Sequence, residues 1–223
     1  MSINNKEQKA LDTITYLKNG LDLKSKGSVD VEGYQIFTPD FIVKKMIDMI
    51  DSNVINSFEK TILEPTSGDG AFLVEIIKKR FNSIKNDSDF LLLSLNALST
   101  IFSIELDTDL MNQQRNNIYT LVIDYINKRK IKMNTNYDFS LKRIILNNFI
   151  NGELNIDYSL KFADDPIGWY VVDGSTIKKT QNRIRFARWY FDTKLNARFV
   201  FEDWELNNTS LKENFGGIFD EQK

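Results

Sequence analysis

The fold is decided by one stretch of the chain, Ile62-Leu63-Glu64-Pro65-Thr66-Ser67-Gly68-Asp69-Gly70-Ala71-Phe72-Leu73. A short apolar run ends in an acid and a proline, a glycine-containing turn follows, and a helical pattern begins after it. This order predicts a strand, a glycine loop and a helix, which is how a doubly wound α/β domain begins. We expect Gly68 and Gly70 to adopt positive φ and to let the backbone approach a ligand closely. Glu64 would lie at the carboxyl end of the strand, where such sheets bind ligands.

The residue types in this loop narrow the class of ligand. A pyrophosphate-binding loop carries Gly-x-Gly-x-x-Gly or ends in Gly-Lys-Ser/Thr. This loop has neither pattern, and the carboxylates of Glu64 and Asp69 would repel phosphate and attract a cation. A strand, loop and helix with two glycines also arise by chance, so other parts of the chain have to agree with this interpretation.

The stretch resembles the cofactor loop of S-adenosylmethionine-dependent methyltransferases, in the acid-Pro-x-x-Gly-x-Gly form of the adenine-specific (N6) DNA methyltransferases of restriction-modification systems. The resemblance covers roughly residues 34–150. It implies an α/β, Rossmann-like fold with a mostly parallel sheet and a C-terminal antiparallel hairpin. It also implies S-adenosyl-L-methionine as the cofactor, with Glu64, Pro65, Gly68 and Gly70 among the cofactor-binding residues.

Composition excludes several kinds of chemistry. The chain has 223 residues, of which 42% are hydrophobic, so it can bury a core as one domain. It contains no Cys and no His, which excludes thiolate and imidazole metal sites, disulfides, and catalytic triads that need either residue. Methylation of a cytosine ring carbon, which needs a cysteine adduct, is excluded too, whereas methylation of an exocyclic amine needs only oriented acceptors. No run approaches a membrane span, and we expect a soluble, cytoplasmic protein.

A second element of the resemblance precedes the glycine loop. Phe37, Thr38 and Pro39 introduce a helical pattern in which Thr38 is the expected N-cap and Pro39 lies in the first turn. The apolar stripe of this helix is expected to comprise Ile42, Val43, Met46, Met49 and Ile50. The same pattern also fits a well-capped core helix without a ligand. The resemblance implies that Phe37, Thr38 and Pro39 border the methionine end of the cofactor.

The second strand of the unit is expected at residues 100–105. The helix that follows the glycine loop should close with Lys78, Lys79 and Arg80 at its negative end. Residues 82–98 then form an insertion, which we interpret as an extra turn and a short helix. At the end of the second strand the family places a carboxylate that accepts hydrogen bonds from the ribose. Glu105 is favoured for this role over Asp107 and Asp109, either of which could instead cap the next helix.

A third strand is expected at residues 143–150, after a polar loop over residues 132–138. In the family an Asp-Phe pair after this strand contacts the adenine of the cofactor, and Asn148 and Phe149 occupy that place here. An amide can both donate to and accept from adenine. A polar strand end without a ligand fits the residues equally well.

The catalytic motif of the family, Asp/Asn-Pro-Pro-aromatic, is absent from the chain. A fourth strand at residues 167–172 ends in Asp173, which keeps the acceptor for the target amine but lacks both prolines and the ring that stacks on a flipped base. The other register uses Asp165 and Pro166, with Trp169 or Tyr170 as a displaced ring, and places the motif before the strand. We prefer Asp173 as the catalytic residue.

The C-terminal part of the sequence predicts a β-hairpin at residues 183–206, with aromatic residues typical of strands. Basic residues without an intervening acid gather around its start, and either contact DNA phosphates or form a solvated strand face: Lys178, Lys179, Arg183, Arg185 and Arg188. The net charge of −2 gives no global attraction to nucleic acid, so DNA contact would rest on this local patch.

These observations predict three parts of the chain and three alternative functions. Residues 1–33 are expected to form an N-terminal helix, spanning residues 5–19, and a loop at 20–34 that is a linker in preference to a lid. Residues 34–206 form the methyltransferase-like domain, and residues 207–223 a tail. The favoured function is a DNA adenine-N6 methyltransferase that binds DNA and relies on a specificity subunit or other protein partner. The alternatives are a catalytically inactive partner, regulator or decoy in a DNA-modification system, and a small-molecule methyltransferase.

Overall fold

The computed structural model describes residues 5–24, 29–30, 35–156, 167–173, 176–180 and 185–203. Several of the strands are described through their backbone alone. A short 3₁₀ turn, Asp87–Asp89, precedes the fifth helix. In chain order the helices and strands are α1 (Asn5–Asp12), β1 (Val29–Asp30), β2 (Gln35–Ile36), α2 (Asp40–Asp48), α3 (Ser52–Ile55), β3 (Ile62–Glu64), α4 (Ala71–Ser83), α5 (Phe90–Ser99), β4 (Ile101–Glu105), α6 (Thr108–Lys128), α7 (Thr135–Asn148), β5 (Phe149–Ile156), β6 (Ile167–Asp173), β7 (Thr176–Thr180), β8 (Arg185–Phe191) and β9 (Ala197–Asp203).

The main sheet has the strand order β3-β4-β5-β6-β7. β3, β4 and β5 run parallel, with Glu64 beside Ser103 and Glu105 beside Asn151. β6 and β7 run antiparallel to their neighbours. The α/β class is therefore confirmed, and the sheet is parallel over three strands only. The strand expected at residues 167–172 is present as β6, and it extends the sheet beyond β5, on the side away from β3.

The core lies around α4, α5, α6 and α7 and the strand β4. Residues 101–104 of β4 are all buried because strands cover both edges and helices cover the faces. The extra turn and short helix expected within residues 82–98 are present as the 3₁₀ turn and α5, and α5 contributes to this core. The rings of Phe81 and Phe90 meet edge to face with centroids 5.4 Å apart, and the ring of Tyr125 stacks near Phe90 at 6.4 Å.

The prediction of a strand over residues 143–150 is wrong over most of its length. α7 occupies residues 135–148, including part of the expected loop, and the strand begins at Phe149. Asn134 caps the helix by accepting a hydrogen bond from the Tyr137 amide at 2.8 Å. The buried side chains recur at helical spacing because they pack on the core: Tyr137, Ser140, Leu141, Ile144, Ile145 and Asn148. The apolar run Ile144-Ile145-Leu146 fits a strand as well, so the helical spacing was not recognised from the sequence.

The C-terminal hairpin is confirmed, but it does not close the main sheet. β8 and β9 form a separate two-stranded antiparallel sheet joined at residues 192–196. Its inner face packs on α5 and α7. The indole N–H of Trp189 donates to the Asn148 side chain at 2.8 Å, and the Ser140 hydroxyl donates to the carbonyl of Leu195 at 2.7 Å. The hairpin thus covers a helical layer.

The N-terminal helix is shorter than predicted and ends at Asp12. The chain after it runs along α6, held by side chains of that helix: the amide of Thr15 donates to Asn116 and that of Leu17 to Thr120. The amide of Asp22 then donates to Asn117. The amide of Lys24 donates to Asp69, so the start of the expected loop is tied to the domain, and further along Val29–Asp30 and Gln35–Ile36 pair with each other as β1 and β2.

Three expectations about helix ends and faces are wrong. Pro39 is the N-cap of α2 and no side-chain hydrogen bond caps the helix, so Thr38 does not have that role. Of the expected α2 stripe only Val43 is buried, together with Ile47. α4 continues to Ser83, and Arg80 is fully buried instead of lying at an exposed helix end.

Candidate functional site

The glycine loop has the backbone that the sequence predicts. Gly68 has φ of +55° and Gly70 has φ of +89°, which confirms both expectations. A Cβ on Gly70 would lie 2.7 Å from Cγ of Gln114, so glycine is required here by close packing against α6. A Cβ on Gly68 would meet only Phe37, at 3.8 Å. Gly68 is therefore the glycine on the open side of the loop.

The loop is fixed over the carboxyl end of β4. The amide of Ser67 donates to the carbonyl of Ile104 at 3.1 Å. The amide of Gly68 donates to Oε2 of Glu105 at 2.7 Å, and the amide of Asp107 donates to Oε1 of the same carboxylate at 2.9 Å. Glu105 thus holds two backbone segments in place. A carboxylate has about four acceptor sites, so it can still accept hydrogen bonds from a ligand.

The two rivals of Glu105 both belong to the start of the following helix. Asp107 caps α6 by accepting from the amides of Asp109 and Leu110 at 2.8 and 2.9 Å. This is the alternative role that the sequence allowed for it. Glu105 lies two residues before Asp107, at the end of β4, and is the acid that reaches the glycine loop.

A hollow of about 170 Å³ lies beside the loop at the carboxyl ends of β3 and β4. Its lining comes from four separate stretches of the sequence, which are the segment before α2, the glycine loop, the end of β4 and the start of α6. The lining residues are Phe37, Thr38, Thr66, Ser67, Gly68, Asp69, Ala71, Phe72, Glu105 and Leu110. The structure therefore brings Phe37, Thr38, Gly68 and Glu105 together, as expected. Pro39, Glu64, Pro65 and Gly70 are neighbours of these residues in sequence and do not line the hollow themselves.

The two acids in the loop region have different surroundings. Burial raises the pKa of Glu64, whose Oε1 lies 3.4 Å from the amide of Thr66. Burial also raises the pKa of Asp69, which is 2% exposed. The Asp69 carboxylate accepts hydrogen bonds from the amides of Lys24 and Ala71. Asp69 thus ties the N-terminal segment to the loop, and much of its charge is directed at backbone instead of at a ligand.

The expected adenine contacts, Asn148 and Phe149, do not lie in the hollow. Both side chains are fully buried. The Asn148 amide donates to the carbonyl of Ile101 at 3.1 Å and to that of Ser99 at 3.2 Å, and it accepts from Trp189. These partners are at the amino end of β4, whereas Glu105 is at its carboxyl end. The expectation fails because Asn148 ends a helix before β5 and does not follow the strand.

The expected catalytic residue, Asp173, is remote from the loop in the sheet. It is the last residue of β6 and pairs with Thr176 of β7. Because β4 and β5 lie between β3 and β6, three strand spacings separate β6 from β3, which is about 14 Å. Asp173 does not line the hollow beside the glycine loop, and its catalytic role stays a prediction.

The basic residues near the hairpin are distributed over two sheets. Lys178 and Lys179 are in β7 of the main sheet, and Arg185 and Arg188 are in β8 of the separate hairpin. Arg183 lies outside the described residues, as do Asp165 and Pro166 of the other catalytic register. A continuous DNA-binding patch remains a prediction.

Several residues of the hollow were not singled out from the sequence. Thr66 and Ser67 supply hydroxyls from within the quoted loop, and Phe72 and Leu110 come from the first turns of the two helices that follow β3 and β4. Phe72 and Leu110 could have been found from their positions in the first turns of helices that follow consecutive parallel strands, because such turns face the carboxyl edge of the sheet. The Asn151 amide, which donates to the carbonyl of Glu105 at 2.9 Å, supports the strand end from β5.

Comparison with models of protein families, with curated proteins and with solved structures found no match to this chain. In the part of the chain that the structure describes, no group of His, Cys, Asp or Glu residues is arranged to hold a metal ion. The same described residues include no helix with the length and apolar character needed to span a membrane.

Proposed function

We propose that the hollow binds S-adenosyl-L-methionine. The observation that carries the proposal is the meeting of Phe37 and Thr38, Gly68, and Glu105 around one hollow at the carboxyl ends of two parallel strands. These are the residues on which the resemblance to adenine-specific DNA methyltransferases rests. They are far apart in sequence, so a chance similarity of one short motif would not bring them together.

The chemistry of the lining suits a cationic nucleoside. Glu105 can accept hydrogen bonds from ribose hydroxyls, and each such charge-assisted bond contributes about 1.5–3 kcal/mol. The rings of Phe37 and Phe72 and the side chain of Leu110 supply apolar walls. At about 170 Å³ the hollow is smaller than a small-molecule pocket of ~300–1,000 Å³, so it would enclose the ribose and one adjoining group while the rest of the cofactor lies along the surface.

The cofactor-binding half is the part of a methyltransferase that this chain supplies best. The order β3-β4-β5 agrees with one half of a doubly wound, Rossmann-like sheet. No strand adjoins β3 on its other side among the described residues, and Asp173 is three strand spacings away. We therefore favour a methyltransferase-like protein that binds the cofactor and acts as a partner or regulator in DNA modification.

A complete DNA adenine-N6 methyltransferase is the second candidate. The position of Phe37 against the glycine loop favours it, because the Phe-Thr-Pro element is specific to the adenine-modifying class in the resemblance. Incubation of the chain with labelled cofactor and DNA of mixed sequence separates the two. Transfer of label to adenine, by the chain alone or together with the products of neighbouring genes, would establish the enzyme. Binding of the cofactor without transfer under any pairing would favour the partner.

Calorimetric titration with S-adenosyl-L-methionine tests the binding proposal. We expect micromolar affinity for the full chain and a loss of about 10- to 150-fold in Glu105→Ala, since ~1.5–3 kcal/mol of hydrogen bonding is removed. Glu105→Gln keeps an acceptor for the Gly68 amide and should lose less. Glu59→Ala, at an exposed acid before β3, is the matched control and should bind normally. Undetectable binding by the unchanged protein would remove the proposal.

A further inference from the structure

The segment that follows α1, residues 13–24, is joined to the glycine loop by one buried side chain. We call this segment the strap. Asn117 of α6 is fully buried, and its side-chain oxygen accepts from the amide of Asp22 at 2.7 Å. Its side-chain nitrogen donates to the carbonyl of Asp22 at 2.8 Å and to that of Asp69 at 3.1 Å. The end of the strap is therefore held beside the glycine loop through backbone groups, whatever side chains the strap carries.

Lys24, at the end of the strap, contacts two residues that line the hollow. Its backbone amide donates to Oδ2 of Asp69 in the glycine loop. Its ammonium nitrogen lies over the ring of Phe37, 5.5 Å from the ring centroid. Asp69 and Phe37 belong to different parts of the lining. Lys24 therefore lies at the rim of the hollow, with its backbone at the glycine loop and its charge at the segment before α2.

The charge of Lys24 is available to a ligand. Lys24 is exposed, and its ammonium group forms no ion pair within the residues that the structure describes. Burial raises the pKa of the neighbouring Asp69, and the charge of Lys24 opposes that rise only from a distance. The Asp69 carboxylate itself accepts from the amides of Lys24 and Ala71. Because a cation–π contact at an exposed site is weak, the ammonium group can exchange the Phe37 ring for an anion.

The ligand proposed for the hollow carries one anionic group. S-adenosyl-L-methionine has a sulfonium, an α-ammonium and an α-carboxylate group, and its ribose and adenine are uncharged. The hollow of about 170 Å³ is too small for the whole molecule, so part of the ligand extends past the rim. A lysine ammonium group donates hydrogen bonds and accepts none, and it repels other cations. Of the charged groups of this ligand, only the α-carboxylate is therefore a partner for Lys24.

We propose that Lys24 binds the α-carboxylate of S-adenosyl-L-methionine and so selects a ligand with an amino-acid tail. This inference rests on the function proposed above and adds a residue of the strap to the site. In this arrangement Glu105 holds the ribose at the end of β4, and the tail leaves the hollow past Phe37 toward Lys24. The start of the segment that the sequence predicted to be a linker thus contributes to specificity.

Calorimetric titration of the full chain with two ligands that differ only in the carboxylate tests the inference. The ligands are S-adenosyl-L-methionine and its decarboxylated analogue, which keeps the sulfonium and the amine. Lys24→Ala should weaken the first about 3- to 10-fold, as expected of one partly exposed ion pair, and should not weaken the second. Lys24→Arg should retain the affinity, whereas Lys24→Glu should weaken the first ligand further and strengthen the second. The control is Lys18→Ala, at another exposed lysine of the strap, which should change neither affinity.

The possible outcomes separate the role of Lys24 from the binding proposal itself. The contact between Lys24 and Asp69 uses the backbone amide, so the side-chain variants keep it and should remain folded. Binding of S-adenosyl-L-methionine by the unchanged protein, with Lys24→Ala weakening both ligands equally or neither, would overturn the role of Lys24 alone. Binding of neither ligand by the unchanged protein would overturn the proposed function as well. Tighter binding of adenosine monophosphate than of S-adenosyl-L-methionine would assign the anion as phosphate and also overturn both.

Discussion

The two ends of the parallel strands use polar side chains in opposite ways. At the amino ends, Arg80 donates to the carbonyl of Lys60, just before β3, and Asn148 donates to that of Ile101, at the start of β4. Both side chains are fully buried and committed to the fold. At the carboxyl ends, Gly68 and Glu105 also bond to each other, but they line an open hollow. The buried polar groups at the amino ends are committed to the fold, whereas Gly68 and Glu105 at the carboxyl ends keep one side open to the hollow.

The largest expected effect concerns Arg80, the central group of the amino end. Besides Lys60, its guanidinium donates to the carbonyls of Ile55 and Ala97, at 3.1 and 2.6 Å. Burial lowers its pKa to about 10, and no acid is paired with it in the described structure. Arg80→Leu should cost about 3–5 kcal/mol of unfolding free energy, because buried carbonyls lose their donor. The control Lys79→Leu removes an exposed ion pair and should cost less than ~1 kcal/mol. Equal losses in denaturant unfolding would contradict the role of Arg80.

The next largest loss of stability is expected at Gly70, in the loop at the carboxyl ends of the parallel strands. An Ala at this position would hold an unfavourable positive φ and would meet Gln114 at 2.7 Å, so Gly70→Ala should cost about 2–4 kcal/mol. Gly20 has φ of +86° with open space around it, and Gly20→Ala should cost only about 1–2 kcal/mol. Thermal unfolding of the two variants separates close packing from backbone strain. Identical melting temperatures would mean that Gln114 gives way at no cost.

A substitution at Asn148, at the amino end of the strands, should lower stability without changing cofactor binding. Asn148→Ala leaves the indole N–H of Trp189 and the carbonyl of Ile101 without a partner, and should cost about 1–3 kcal/mol. Its neighbour Asn147 bonds only within its own helix, so Asn147→Ala is the control. Calorimetry on the folded Asn148 variant should give the same cofactor affinity as the unchanged protein. A selective loss of affinity would restore Asn148 as a ligand contact.

The smallest effect is expected at Glu64 and depends on pH. Burial raises its pKa, so the folded protein holds the proton more tightly than the unfolded chain. The contribution of this carboxyl to unfolding free energy is therefore fully present below its ordinary pKa and is lost as pH rises through the raised value. Glu64→Gln should thus stabilise the protein at pH 7 by about 0.5–2 kcal/mol, with a smaller gain at acid pH. Denaturant unfolding at several pH values, with Glu59→Gln as control, measures this; a gain that grows toward acid pH would have the wrong sign.

The sequence predicted correctly those elements whose ends are marked by proline, glycine or acidic residues. The acid-proline pair and the glycines at 64–70 fixed the end of β3, the loop and the start of α4, and the position of Glu105 followed from the next apolar run. Strand direction and pairing depend on residues far apart in sequence. The antiparallel course of β6 and the separate hairpin were therefore not predictable from their own residues.

Residues 143–150 show a second limit. Ile144, Ile145 and Leu146 are all apolar, and a run of three such residues fits either a strand or the buried side of a helix. Packing on α5 and α6 favours the helix. Because the helix continues to Asn148, this residue lies before β5 and not after it. The sequence also could not predict that only part of the α2 stripe is buried. Periodicity shows which residues are apolar, but not which of them other elements cover.

The binding of a nucleoside cofactor at the carboxyl end is tested most directly by NMR of the isotope-labelled chain during titration with S-adenosyl-L-methionine. We predict saturable shifts of the backbone amides of Gly68 and Asp107, both of which donate to Glu105, while the side-chain amide of Asn148 keeps its position. Saturable shifts at Asn148 with Gly68 unmoved, or no shifts at any cofactor concentration, would contradict the assignment of the hollow as the binding site.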